Sequence, residues 1–310
     1  MMSFGLDKMV FLKAIMALLI VADHLTFYLD TPFLAPFREI GAPIVSLFLF
    51  ISGYGLYRSW QNKGQVYLDS FLRKRILRVI VPAIVALIIY YILLWNPARN
   101  YGSEVLALIR NGIPLLPFSW YVADIVFFYF AYYLVFEYLP EKFRISGLFF
   151  SASILMIATI LAGYDRCWWV CSFAFPTGAV VAKHETQIIT ICQSAKNYAF
   201  SLCILCILFI LLYLPRNPYL WTLCYMIIPV IAYLLAVRIP LDKLNGPIVV
   251  FLSSISYEIY LCQGISMDFF RYRIGIQSIG LFIILVYISV FILAWMVKSL
   301  SSLLINPKTT

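Results

Sequence analysis

A lysine and a histidine inside an apolar run are the residues whose types and spacing could do chemistry. Lys13 and His24 bound the stretch KAIMALLIVADH, within the hydrophobic segment Met9 to Leu29. On a helix, eleven steps of about 100° bring the two side chains within about 20° of one face, roughly 16 Å apart along the axis. Ala17 and Ile20 fill the stripe between them, and the small Ala17 leaves room for a neighbour or a ligand. Ionisable groups at membrane depth are costly and point to function. An imidazole with an ordinary pKa of about 6.5 can take up a proton at neutral pH. Plainer readings stand beside these: Lys13 as a snorkelling anchor, His24 as a satisfied interior histidine.

A second cluster lies in FLRKRILRVIVP, Phe71 to Pro82. Arg75 and Arg78 are three apart and share a helix face, with Arg73 and Lys74 beside them. Guanidinium groups so grouped can grip phosphates in a forked geometry. The same charges also serve as a positive-inside anchor touching anionic lipid. Two carboxylates fall inside apolar segments: Asp124, one turn into the run that opens PFSWY, and Glu258 in SSISYEIYLCQ. A carboxylate at such depth faces a protein partner or a wet cavity. Glu258 has a structural reading too, as a residue that holds helices together. His184, beside Lys183 and Glu185 at the cytoplasmic edge, reads as solvated. No metal is expected.

These residues need elements to carry them. Of 310 residues, 64% are hydrophobic and 12% charged, whereas soluble domains have about half apolar and a quarter charged residues. The chain therefore reads as an all-α polytopic membrane protein. About ten transmembrane helices are expected in one bundle, as a single domain over 1–310 with no separate soluble domain. The spans fall near 9–29, 40–58, 76–95, 118–139, 147–163, 167–183, 198–214, 219–237, 247–267 and 277–305, with 96–117 as the longest outer loop. With the N- and C-termini cytoplasmic, most of the 23 Lys and Arg residues fall on the inner side, Lys308 included. A minority, including Arg99 and Arg110, falls outside, as the positive-inside rule requires. This puts Lys13 near the cytoplasmic end of the first helix and His24 nearer the outer end.

The excess of basic residues therefore implies cytoplasmic loops and a lipid bilayer as partner, not nucleic acid. The N-terminal run is too long and too charged for a signal peptide. Seven cysteines lie mostly in apolar runs, and Cys203 and Cys206 read as helix packing. Small residues in Ser52-Gly53-Tyr54-Gly55 mark a place where a helix or a ligand can approach a backbone, and Pro176 with Gly178 suggests a break or a close approach.

Taken together, these segments resemble the acyltransferase 3 family of integral membrane acyltransferases. Lys13 and His24 match its basic-x10-His signature, with Lys in the place often held by Arg. FLFISGYGL resembles its aromatic-Ser-Gly segment, and Arg75 and Arg78 fit its R-x-x-R. SWYVADIVFFYF resembles its Trp-led fourth span, and SYEIYL its late Ser-Tyr-x-Ile-Tyr-Leu segment. One departure is Gln263, where many relatives carry His.

The resemblance implies transfer of an acyl group, commonly acetyl, from acyl-coenzyme A as co-substrate to a carbohydrate hydroxyl. The acceptor would be a surface polysaccharide, a lipid-linked sugar or a small glycoside, at a bacterial cytoplasmic membrane. Arg73, Arg75 and Arg78, with Lys13, would receive the polyanionic donor. Its thin pantetheine arm would reach toward His24, acting as general base or as acyl carrier. Asp23 points about 100° away from His24 on an ideal helix, so Asp124 or Glu258 is the expected orienting carboxylate. The alternative from another class is a transporter or flippase for a polysaccharide, polyol or lipid, which buried charges and proline breaks also suit.

Overall fold

The structure is a computed structural model that describes residues 5–96 and 100–305; Arg99 and Lys308 lie outside the described residues. Among the described residues all regular structure is helical. The α-helices in chain order are α1 (Leu6–Leu25), α2 (Gly41–Lys63), α3 (Phe71–Leu93), α4 (Tyr101–Asn111), α5 (Trp120–Tyr138), α6 (Glu141–Leu161) and α7 (Ala174–Lys183). They continue with α8 (Glu185–Gln193), α9 (Ala195–Tyr213), α10 (Pro218–Arg238), α11 (Pro247–Ser254), α12 (Ser256–Asp268) and α13 (Ile279–Ile305). The expected all-α class is correct.

Six of these, α3, α5, α6, α9, α10 and α13, are long and apolar enough to cross a membrane, and the bent pair α11–α12 makes up to seven. The expected first span is one continuous helix of 20 residues, but Asp7, Lys8, Lys13 and Asp23 load it with charge. The expected sixth span, 167–183, is not a single helix. A short 3-10 turn, Arg166–Trp168, precedes the ten-residue α7. The expected ninth span bends by 71° at Ile255. The expected outer loop contains α4, whose start is capped by Asn100 Oδ1 accepting from Ser103 N at 3.1 Å. Gly112, at φ 66°, closes α4 in the left-handed conformation that glycine takes without penalty.

The chain falls into two compact units. One holds the chain up to Phe11 with Ala42–Leu72 and Phe127–Gly246. In it, α2 and α7 touch backbone to backbone. A Cβ on Gly53 would run into the Phe175 carbonyl, and one on Gly178 into the Phe50 carbonyl. The expected close approach at these glycines is what forms. Glu185, next to the exposed His184, is buried. It accepts from Tyr54 Oη at 2.6 Å, and Arg58 Nε lies 3.4 Å from it. That pairing is what makes burial of the carboxylate tolerable.

The other unit holds Leu12–Gly41, Arg73–Val126 and the chain from Pro247 on. Its core joins Ala17, Val21 and Leu25 of α1 to Ile255 and Ile259 near the α11–α12 bend. Phe282, Val286, Val290 and Ala294 of α13 complete it. Each series steps by about one helical turn, so each helix gives one stripe to the core. Ile284, Ile288 and Ile292 of α13 point the other way and are exposed. Such a face suits hydrocarbon, where exposed isoleucine costs nothing. Every predicted site residue, Lys13, His24, Arg73, Arg75, Arg78, Asp124 and Glu258, falls in this second unit.

Candidate active site

His24 sits in the last turn of α1, with 7% of its surface exposed. The Phe118 ring lies flat on the imidazole, 4.0 Å between centroids and 9° between planes. Phe27 tilts against both rings. Phe118 belongs to the turn just before α5 and has a φ of 65°. A bulky side chain in the left-handed region is strained and persists only where its surroundings hold it.

Helix α12 does the holding. Tyr260 donates from its hydroxyl to the Phe118 carbonyl, and the Tyr121 amide donates to the same hydroxyl at 3.3 Å. One turn on, Gly264 leaves space for Pro117: a Cβ there would stand 2.6 Å from the Pro117 Cβ. The neighbouring Gln263 is fully buried, and its amide is the side chain of α12 that interacts with the His24 ring. Gln263 Nε2, Gln263 Oε1 and His24 Nδ1 all lack a hydrogen bond of normal geometry.

The carboxylate nearest the ring is not one of the two expected. Asp23 Oδ2 lies 3.9 Å from His24 Nε2. An ideal helix separates adjacent side chains by about 100°, yet in the last turn of α1, which ends one residue after His24, the two groups approach each other. Asp23 is held in turn by the start of α2, accepting from the Gly41 amide at 2.9 Å. The amides of Glu39 and Ile40 also point at it. A carboxylate at a helix N-terminus gains from both the free amides and the dipole. A Cβ on Gly41 would stand 2.6 Å from Asp23 Oδ2 and would push that carboxylate aside.

Asp124 and Glu258, the expected orienters of His24, are both buried. Asp124 is buried with Oδ1 lacking a hydrogen-bond partner, and no hydrogen bond or ion pair joins it to His24 among the described residues. Glu258 is also buried, but it lies in the first turn of α12, where the Lys298 ammonium feels its charge. It is five residues before Gln263, roughly 7.5 Å along the helix from the residue that meets the ring.

The basic residues gather where α3 begins. Arg73 and Arg78 are exposed, while Arg75 and Lys13 are half-buried. Arg75 lies close enough to Lys13 for their like charges to repel. One turn above Arg75, the Val79 carbonyl accepts from Tyr257 Oη at 2.9 Å, tying this end of α3 to α12. Among the described residues no cluster of three or more His, Cys, Asp or Glu could hold a metal ion. Sequence reasoning missed Asp23, Phe118 and Tyr260. The last two sit inside the segments PFSWY and SYEIYL, which sequence reasoning did not connect to each other.

A helical membrane protein with a buried imidazole on its first helix, facing a late helix across an aromatic turn, is now defined. Residues 6–298 match the acyltransferase 3 family, described as an acyltransferase domain, and the chain belongs to that family. No curated protein matches the chain. No solved structure matches it.

Proposed function

We propose that this membrane acyltransferase takes its acyl group, commonly acetyl, from acyl-coenzyme A and transfers it to a carbohydrate hydroxyl, with His24 as the base. The observation that supports this most is the His24 ring. It is buried, covered by Phe118, and has Nδ1 without a partner while Nε2 faces Asp23.

In this reading the acceptor hydroxyl gives its proton to Nδ1 as its oxygen attacks the thioester carbonyl. The C–S bond then breaks, and the leaving thiolate takes the proton back from the imidazolium. At 3.9 Å the Asp23 carboxylate is too far for a hydrogen bond. Its charge therefore favours the ring mainly once the ring is positive. That is support given to the transition state more than to the ground state. Asp23 is a positioning residue here.

The donor would enter at the start of α3. Lys13 and Arg75 oppose one another's charge, and an anion held between them lowers that repulsion. Phosphates gripped there, with Arg73 and Arg78 at the rim, would leave an extended arm to cover the roughly 16 Å along α1 to His24. The termini and the start of α3 are assigned to the cytoplasmic side on loop charge alone.

The test is transfer from labelled acetyl-coenzyme A in membranes holding equal amounts of the normal chain or His24→Ala. Loss of transfer with unchanged insertion is the expected result. A fully active His24→Ala would remove the reading.

A further inference from the structure

We propose that Gln263 is a catalytic residue, its side-chain Nε2–H donating to the thioester carbonyl oxygen as negative charge develops there. The inference rests on the acyl transfer proposed above and names a part of it that His24 leaves open. As the acceptor oxygen bonds to the carbonyl carbon, the C=O electron pair moves onto oxygen. That oxyanion needs a donor beside the base. The pair returns when the C–S bond breaks, and the thiolate leaves with the proton from His24.

Three observations carry it. Gln263 is fully buried with both polar atoms of its amide unpaired. A buried polar atom left unpaired is destabilising, so a residue with only packing to do would be more stable as Met or Leu. The amide also lies beside the His24 ring, on the stretch of α12 that holds Phe118 and Pro117 against that ring, so a carbonyl brought to the imidazole comes near the amide as well. Finally, α12 is fixed at this level. Tyr260 is bonded to the Phe118 carbonyl and Gly264 is packed on Pro117, which brackets Gln263 on either side. A donor aimed in advance from a rigid, water-poor element stabilises an oxyanion without reorganising. An amide does not titrate, so Gln263 has no part in proton transfer. Its contribution is a hydrogen bond.

The experiment compares Gln263→Met, which keeps length and loses the donor, with Gln263→His, which restores an N–H. The full-length chain in detergent is assayed for thiol release from acetyl-coenzyme A with phenyl glycosides as acceptors. Gln263→Met should lower kcat about 100- to 1,000-fold, by the same factor at every pH, with donor KM little changed. Gln263→His should recover at least about a tenth of the normal kcat. Gln263→Met within about threefold of normal, or Gln263→His as inactive as Gln263→Met, overturns the assignment. A kcat loss that comes with a displaced pH profile also overturns it, because the residue would then act by holding His24. His24→Ala measured alongside separates the two readings. If it is inactive while Gln263→Met is active, only Gln263 loses its role. If it is active, the transfer mechanism itself fails.

Discussion

Tyr260 donates its hydroxyl to the carbonyl of Phe118, the residue whose ring covers His24. A side chain of α12 thereby fixes a strained backbone at the mouth of α5, and that backbone fixes the surface on which the imidazole lies. The ring is gripped from the side of the late helix without any direct bond of good geometry to it.

Tyr260→Phe removes that grip and little else. The turn at Phe118 should relax out of its left-handed conformation, which costs of order 1–3 kcal/mol to maintain. Loss of the stacked cover should lower kcat about tenfold, since small misplacements near reacting atoms are expensive. Steady-state kinetics on equal amounts of inserted protein checks this. An unchanged kcat would mean that Phe118 holds itself.

Gly264→Ala adds a methyl where Pro117 already stands. Overpacking of this kind costs typically 1–3 kcal/mol. Thermal unfolding in detergent should show a lower midpoint than the normal chain. Gly55→Ala, where nothing stands within 4 Å of the added methyl, is the control that should not.

Asp23→Asn keeps the shape and the acceptor oxygen for Gly41 but removes the charge that faces Nε2. Without that charge the imidazolium formed during transfer loses its nearest counter-ion. The expected result is a kcat about 10- to 100-fold lower with donor KM unchanged, the pattern of a group that acts in the transition state. A normal kcat would reduce Asp23 to a cap for α2.

At the other end of α1 the effect should fall on KM. Charge-assisted hydrogen bonds are worth about 1.5–3 kcal/mol, so Arg75→Ala or Lys13→Ala should raise donor KM about tenfold or more. Dephospho-coenzyme A thioesters tell whether phosphate is what is lost. The penalty for removing the phosphate should shrink in the variant that has already lost its partner. Equal penalties in normal and variant chains would leave these cations as topology anchors.

The helical class was legible because hydrophobic runs of span length leave few alternatives. The placement of Lys13 and His24 on one helix was legible because α1 is continuous. What was hidden depends on how a chain behaves at helix ends. Asp23 was set aside on the angle of an ideal helix, but it lies two residues before α1 stops and is drawn to the amides that begin α2. The bend at Ile255 and the turns before α7 were read as continuous spans, since hydropathy does not report on backbone direction. Asp124 and Glu258 were sound candidates on burial, and both are buried. Which helix face meets the ring depended on α12 beyond that bend, and the position that arrived there was Gln263.

The Asp23–Gly41 contact closes the segment between the first two helices into a loop with fixed ends. The cost of closing a loop grows slowly, about 0.6 kcal/mol for each doubling of its length. Asp30 is solvent-exposed and, among the described residues, pairs with Arg38 at the surface. A peptide epitope or a fluorophore-bearing linker spliced in after Asp30 would therefore leave both anchor points engaged. That makes this outlying bend the natural place to attach a reporter to a working enzyme.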